Sequence, residues 1–151
     1  GELDRAGLAA IVFSDAAALK SLNAIVHPAV GAEIARRVAA EVATEHVVVL
    51  DVPLLAENPR DNLQGTIVVD APVEVQVERL VHGRGFDEAD ARARIANQAS
   101  REDRLRRADV VVDNSGDRAA LGPQIDQVWA WLTSLPQLPD DFDYTARATL
   151  S

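Results

Sequence analysis

The chain has 151 residues, of which 48% are apolar and 26% charged, and this composition predicts one globular domain with a buried core. Its net charge of −9 disfavours general nucleic-acid binding, and no apolar run approaches the roughly 20 residues that span a membrane. The absence of cysteine excludes disulfides, thiol nucleophiles and thiolate metal sites, and it fits a cytoplasmic location.

Residues 1–45 have the apolar spacing of helices. Between Asp15 and Val26 apolar side chains recur every three or four residues, Asp15 can cap the start, and Pro28 is expected to end the segment. A second helix is predicted from about Pro28 to Thr44, because proline is favoured in the first turn of a helix. We therefore expect a helical region at the start of the chain.

Three runs of branched apolar residues follow, and each ends in an aspartate. The runs are residues 47–51, 66–70 and 109–113. Unbroken apolar runs separated by helical segments are typical of strands covered on both faces, so they predict an α/β fold with a parallel sheet. The carboxyl ends of such strands face the ligand crevice, which would place Asp51, Asp70 and Asp113 there. An aspartate at a strand end is equally common as a turn residue.

Residues 79–107 contain eight of the fifteen cationic side chains and five acids, a local charge of +3, so the rest of the chain sums to −12. This local excess indicates an anionic ligand, most simply a phosphate. The alternative is a solvated helix surface with i,i+4 ion pairs such as Glu88 with Arg92. The preceding helix is expected to end at Gly83 and Gly85, and the next is poor in large apolar residues, as in a mobile lid.

The remaining segments complete the predicted organisation. Residues 46–78 and 108–134 are assigned to the α/β core, 79–107 to the lid, and 135–151 to a tail or linker with two prolines and no apolar periodicity. The final helix of the core is expected to bury Ile125, Val128 and Trp129.

Six short motifs occur in order along the chain. They are Leu3-Asp4-Arg5, Asn23-x-Ile25-x-His27-Pro28, Asp51-Val52-Pro53-Leu54-Leu55-x-Glu57, Gln76-x-x-Arg79-Leu80-x-x-x-Arg84, Gln98-x5-Arg104, and Ala108-Asp109-x3-Asp113-Asn114-x-Gly116. Together, over about residues 2–132, they closely resemble the dephospho-coenzyme A kinase family. The resemblance implies a P-loop kinase-like, three-layer α/β/α fold with a parallel sheet, a helical substrate region and a helical lid.

The resemblance also implies an activity, which is transfer of the γ-phosphoryl group of ATP to the ribose 3′-hydroxyl of dephospho-coenzyme A. This is the last step of coenzyme A synthesis. The expected partners are the small molecules ATP and dephospho-coenzyme A, with Mg²⁺ and with no nucleic acid or membrane. Another P-loop nucleotide kinase, or a non-catalytic nucleotide-binding or interaction module, is the alternative.

The amino-terminal elements of the family have no counterpart in these 151 residues. Family members begin with a strand and a loop of the form G-x-x-x-x-G-K-[ST], followed by a strand that ends in the catalytic aspartate. The only lysine here, Lys20, follows no glycine-rich loop and cannot be the P-loop lysine. We therefore expect the chain to be the remainder of the enzyme, with its amino-terminal strands missing, and to be inactive alone.

The missing strand also has a structural consequence. In the family, the P-loop strand lies between the strands that match residues 47–51 and 66–70. Its absence would leave two apolar strands with unpaired edges, so we expect the isolated chain to be unstable, aggregating or domain-swapped.

The resemblance assigns roles to the residues of the lid and of the last strand. Arg79 matches the catalytic residue that contacts the transferring phosphate, and Arg84 and Arg104 match ATP-binding residues. Surface salt bridges are the alternative for all three. Asn114 and Gly116 match the loop at the adenine ring, with tight-turn chemistry as the alternative. The other arginines of the segment are expected at the surface: Arg92, Arg94, Arg101, Arg106 and Arg107.

Four further residues match the metal and the acceptor side. Asp51 matches a position that holds magnesium through water. His27, Pro28 and Glu57 match the dephospho-coenzyme A region. For His27, a helix cap or a satisfied interior histidine is the alternative.

Overall fold

The structure, a computed structural model, describes residues 3–12, 14–60 and 62–139. The chain divides into two compact units, one containing the residues up to Val48 and the other Val49–Gln137. Helices and a parallel sheet both occur, which confirms the predicted α/β class. No helix in the described ranges combines the length and the apolar character needed to cross a membrane.

Two helices form the described part of the first unit. Helix α1 spans Arg5–Val12 and helix α2 spans Ala16–Glu41. The Asp4 and Asp15 side chains cap them, accepting hydrogen bonds of 2.9 Å and 2.7 Å from N–H groups of the first turns. These caps satisfy backbone donors that have no partner inside a helix.

The expected helix boundary at Pro28 is wrong. Helix α2 continues through Pro28 for another 13 residues and ends at Glu41 rather than Thr44. Pro28 cannot donate a hydrogen bond to the carbonyl of Ala24, but the alanine-rich sequence on both sides favours a helix strongly enough to continue. His27 and Pro28 therefore lie at exposed positions in the middle of α2.

The second unit contains a parallel sheet of two strands. Strand β1 spans Ile67–Asp70 and strand β2 spans Val110–Asp113, with Ile67 beside Val110 and Asp70 beside Asp113. The strand expected at 47–51 does not form. Its valines Val48 and Val49 are exposed, and within the described residues β1 has a neighbouring strand on one side only.

Four helices and one 3₁₀ turn accompany the sheet. They are α3 (Val73–Arg84), α4 (Glu88–Ala96), α5 (Arg101–Arg106), the 3₁₀ turn (Arg118–Ala120) and α6 (Leu121–Ser134). Helix α3 continues through Gly83 and ends just before Gly85. Only one of the two glycines that were expected to end the helix therefore does so. Gly85 has a φ of 70°, which glycine adopts without strain, and its N–H bonds the carbonyl of Val81.

The core of the second unit is small. Its buried apolar residues are Ala71, Val77, Ala91, Val112 and Val128. On α6, Val128 is buried as expected, whereas Ile125 and Trp129 are exposed, because the two-stranded sheet covers only part of this face. At the other end of α6, Trp131 packs so closely on Gly65 that a methyl group there would overlap the indole ring.

Candidate functional site

The carboxyl ends of β1 and β2 bring two of the three expected aspartates together. Asp70 and Asp113 are register partners on neighbouring strands, and Asp70 is only 5% exposed. Asp51 lies outside any strand and is exposed. Among the residues that the structure describes, no three His, Asp or Glu side chains are grouped to hold a metal ion. The predicted edge of the sheet therefore contains Asp70 and Asp113 but not Asp51.

Arg101 forms a bidentate ion pair with the buried Asp70. Its Nη2 and Nε atoms lie 2.7 Å and 2.9 Å from Asp70 Oδ2, and these hydrogen bonds raise the pKa of the Arg101 guanidinium. Arg101 is exposed, as the sequence suggested, but nothing in its spacing links position 101 to position 70. Arg101 also lines a shallow, open cavity of about 510 Å³ beside α5. The pair therefore connects α5 to the end of β1.

Three predicted site residues meet at the loop after β2. Arg79, on α3, donates hydrogen bonds from Nη1 to the carbonyl of Asn114 at 2.7 Å and from Nη2 to the carbonyl of Gly116 at 3.0 Å. Neither carbonyl has a formal charge, so the positive charge of Arg79 is not neutralised by these contacts. Among the residues that the structure describes, Arg79 forms no salt bridge, which was the alternative that the sequence allowed.

The same loop is held by further hydrogen bonds. The N–H of Asn114 donates to the carbonyl of Asp70 at 2.7 Å, which extends the ladder of the sheet. Asp113 Oδ1 accepts from the N–H of Ser115 at 2.8 Å, and hydrogen bonds from Ser115 lower the pKa of Asp113. Gln124 bonds both the N–H and the C=O of Asp113. These contacts fix the backbone on which Arg79 rests.

Two other predicted site residues meet at Ala99, in the turn between α4 and α5. Glu57 Oε1 accepts a hydrogen bond of 2.7 Å from the N–H of Ala99, and Arg104 Nη1 donates one of 2.6 Å to the Ala99 carbonyl. Glu57 lies 42 positions and Arg104 5 positions from Ala99 in the sequence. The sequence motifs gave no sign that both side chains bond the backbone of one residue. Helix α4 ends before Ala99, which leaves both backbone groups free for these side chains.

An exposed ion pair joins helix α4 to α3. Arg92 bonds Glu74 Oε2 at 2.8 Å and Glu88 Oε1 at 2.9 Å, so the ion pair expected between Glu88 and Arg92 is present. The hydrogen bonds from Arg92 lower the pKa of Glu74. Arg94 lies over the Phe86 ring, 4.5 Å from its centroid. Arg84, in the last turn of α3, is exposed.

Comparisons with known proteins agree on one family. The family model for dephospho-CoA kinase matches residues 1–120. A protein named dephospho-CoA kinase from Thermobifida fusca is 49% identical over 130 residues, covering 85% of this chain and 64% of its own length. One from Streptomyces avermitilis is 48% identical over 142 residues, covering 93% of this chain and 69% of its own. A Mycolicibacterium paratuberculosis relative of the same name is 52% identical, but the chain covers only 32% of it.

Solved structures have the same fold. A crystal structure of a Thermus thermophilus protein superposes with a TM-score of 0.71 at 36% identity, covering 87% of this chain and 69% of that one. A dephospho-CoA kinase from Campylobacter jejuni superposes with a TM-score of 0.64 at 25% identity, covering 87% and 66%. The α/β fold is therefore that of the P-loop kinases. By sequence and by fold, the chain belongs to the dephospho-CoA kinase family.

Proposed function

We propose that the chain supplies the lid and much of the α/β core of an enzyme that phosphorylates the ribose 3′-hydroxyl of dephospho-coenzyme A with ATP. The observation that carries the proposal is the contact of Arg79 with the Asn114 and Gly116 carbonyls at the carboxyl ends of the strands. An arginine paired with neutral acceptors keeps its charge for an anion, and this edge of a parallel sheet is where ligands bind.

Arg79 is proposed as the catalytic arginine. In phosphoryl transfer, the bond from the leaving oxygen to the γ-phosphorus breaks while a bond from the ribose oxygen forms, and negative charge spreads over the equatorial oxygens. The N–H groups that Arg79 does not use on the loop can donate to those oxygens. Arg84 and Arg104 are proposed as further ATP-binding cations.

The adenine ring and the metal have separate proposed sites. Asn114 and Gly116 belong to the loop that Arg79 holds, and the adenine ring would lie against this loop. Mg²⁺ is usually held by one or two carboxylates together with phosphate oxygens and water, so the single exposed carboxylate of Asp51 fits such a role. The ion would neutralise charge on the phosphates of ATP.

The acceptor side is proposed to include His27, Pro28 and Glu57. His27 and Pro28 are exposed on α2, which is compatible with a ligand contact and not with an interior histidine. Glu57 uses one carboxylate oxygen on Ala99, and its second oxygen has no hydrogen bond in the described part of the chain. A cytoplasmic location, expected from the absence of cysteine, is part of the same proposal.

The test is a coupled assay of ATP consumption with dephospho-coenzyme A, on the protein expressed from its own initiation codon. We expect ADP formation that depends on dephospho-coenzyme A and Mg²⁺. Nucleoside monophosphates serve as control acceptors, and a preference for one of them would identify another nucleotide kinase. ADP formation that is independent of any acceptor would contradict the proposal.

A non-catalytic nucleotide-binding module is the second candidate, favoured by the absence of G-x-x-x-x-G-K-[ST] from the 151 residues. The DNA upstream of Gly1 decides between the two. An in-frame G-x-x-x-x-G-K-[ST] supports the kinase, whereas an initiation codon immediately before Gly1 supports the module.

A further inference from the structure

Two contacts, at Ala99 and at Arg101, join the turn between α4 and α5 to other parts of the second unit. Glu57, in the segment that follows residues 47–51, holds the N–H of Ala99 at 2.7 Å. Two residues further on, Arg101 makes the bidentate pair with Asp70 at the end of β1. Asp70 is 5% exposed, so losing Arg101 would leave a carboxylate without its cation and nearly without water. Residues 99–101 therefore cannot move away from β1 without a large cost.

Helix α4 is attached more weakly. Its one buried side chain is the methyl group of Ala91, at 0% exposure, and its ion pair to α3 is made with Glu74, whose side chain is 74% exposed. Exposed pairs of this kind contribute little, because water and salt screen them. On its amino-terminal side lies Gly85, whose φ of 70° is adopted by glycine without strain and rarely by other residues.

From this contrast we propose that Glu57 and Asp70 are positioning residues that keep α5 fixed on the sheet, so that only residues 86–98 move as the lid. The proposal rests on the proposed function in one respect, since lid closure is expected only with the substrates bound. It divides the segment 79–107 into a fixed part and a moving part.

The fixed part of this segment positions an arginine for ligand binding. Glu57 orients Arg104 through Ala99, because the Ala99 residue held by Glu57 at its N–H accepts the Arg104 hydrogen bond at its C=O. Asp70 pairs with Arg101 and so holds the amino-terminal end of α5. The Arg104 guanidinium is thus placed before a ligand arrives, which lowers the entropic cost of binding a phosphate oxygen. The phosphates of ATP and of dephospho-coenzyme A share this chemistry, and separate KM values for the two substrates identify which one is bound.

The first experiment needs no ligand and therefore does not depend on the kinase activity. Amide hydrogen exchange at Ala99 is measured in the free protein for Glu57→Ala and Glu57→Gln. Loss of the hydrogen bond in Glu57→Ala is expected to speed exchange about tenfold, whereas Gln keeps an acceptor oxygen and stays within about twofold of the parent. Glu78→Ala, an exposed acid on α3, is the matched control. Equal exchange in Glu57→Ala and the parent would overturn the positioning role.

Steady-state kinetics separate positioning from direct charge contact. If Glu57 positions Arg104, Glu57→Ala raises the KM for the substrate concerned more than Glu57→Gln does, because Gln still accepts a hydrogen bond from the Ala99 N–H. If Glu57 acts on a substrate only through its negative charge, Gln and Ala are equally impaired, which would overturn the proposal.

The second experiment measures motion. Because these 151 residues contain no cysteine, spin labels can be placed at Asp90→Cys with Asp126→Cys for α4, and at Arg107→Cys with Asp126→Cys for α5, after any cysteine outside them is replaced. A non-hydrolysable ATP analogue with dephospho-coenzyme A is expected to change the first distance and leave the second unchanged. An α5 distance that changes as much as the α4 distance, or an α4 distance that does not change, would overturn the proposal.

Discussion

Two arginine–carboxylate pairs connect helices of the second unit to their neighbours, and the water around the acid distinguishes them. Arg101 on α5 pairs with Asp70, whose side chain is 6% exposed, and Arg92 on α4 pairs with Glu74, whose side chain is 74% exposed. The hydrogen-bond lengths are nearly equal, at 2.7 Å and 2.8 Å. Bond length therefore says little about strength here, and burial of the acid decides whether the pair is a fixed attachment or a reversible one.

Arg79 extends the comparison, because its acceptors are backbone carbonyls rather than acids. The guanidinium groups of Arg101 and Arg92 are neutralised by their partners, and within the described residues Arg79 has no acidic partner. Among these three arginines, Arg79 is therefore the one proposed to bind an anion.

The largest expected effect is on turnover. Arg79→Ala in the protein expressed from its own initiation codon is expected to lower kcat by roughly a hundredfold or more, as for other arginines that stabilise phosphoryl transfer. Arg118→Ala, an exposed arginine of the 3₁₀ turn, is the control. Near-normal turnover in Arg79→Ala would make Arg79 a structural residue that only holds the loop.

The second effect is on stability and tests the fixed attachment. Arg101→Ala leaves the buried Asp70 carboxylate unpaired, and we expect the midpoint of thermal unfolding to fall by roughly 5–10 °C. The double variant Asp70→Asn, Arg101→Ala removes that charge and should recover part of the loss. A fall in Arg101→Ala no larger than that in Arg92→Ala would break the comparison.

The third prediction compares two apolar residues of β2, so that only burial and not charge is tested. Val112 is 3% exposed and Val111, its neighbour on β2, is 46% exposed. Val112→Ala is expected to lower the free energy of unfolding by about 2 kcal/mol, and Val111→Ala by under about 1 kcal/mol. Denaturant unfolding of both variants measures the difference, and equal losses would mean that burial on β2 differs from the structure.

The smallest effect is expected at α4. Arg92→Ala should change the unfolding midpoint by no more than about 2 °C, because both acids that it contacts are exposed. A change as large as that of Arg101→Ala would mean that α4 is as firmly attached as α5.

The same pair predicts a pH dependence. The folded-state pKa of Glu74 is lowered from its ordinary value of 4.5 by the hydrogen bonds from Arg92. The pair therefore contributes fully above that ordinary value, and its contribution is lost as the pH falls through the lowered one. Carboxyl titration by NMR should return Glu74 to its ordinary pKa in Arg92→Ala, and an unchanged low value would contradict the assignment.

The sequence predicted those features that depend on local patterns. The apolar runs at 66–70 and 109–113, the cap at Asp15 and the family motifs all reflect neighbouring residues, and the structure contains the strands and the cap at these positions. Features set by distant residues were not predictable. Asp70 and Arg101 are 31 positions apart, and no periodicity relates them. The run at 47–51 has the composition of a strand, but a strand also needs a neighbour, which no local pattern guarantees.

The open side of β1 limits what can join it. The carbonyls of Thr66 and Asp70 bond β2, so in a parallel ladder the backbone groups of Ile67 and Val69 face the other way. An incoming strand would find only a few backbone hydrogen bonds there, and such brief edges are one way in which proteins avoid unwanted strand addition. Val69, 62% exposed, stands on one face of β1 and would gain a side-chain neighbour from such a strand. Selection of that strand thus depends on how its side chains fit beside Val69 more than on backbone pairing, which any sequence could offer.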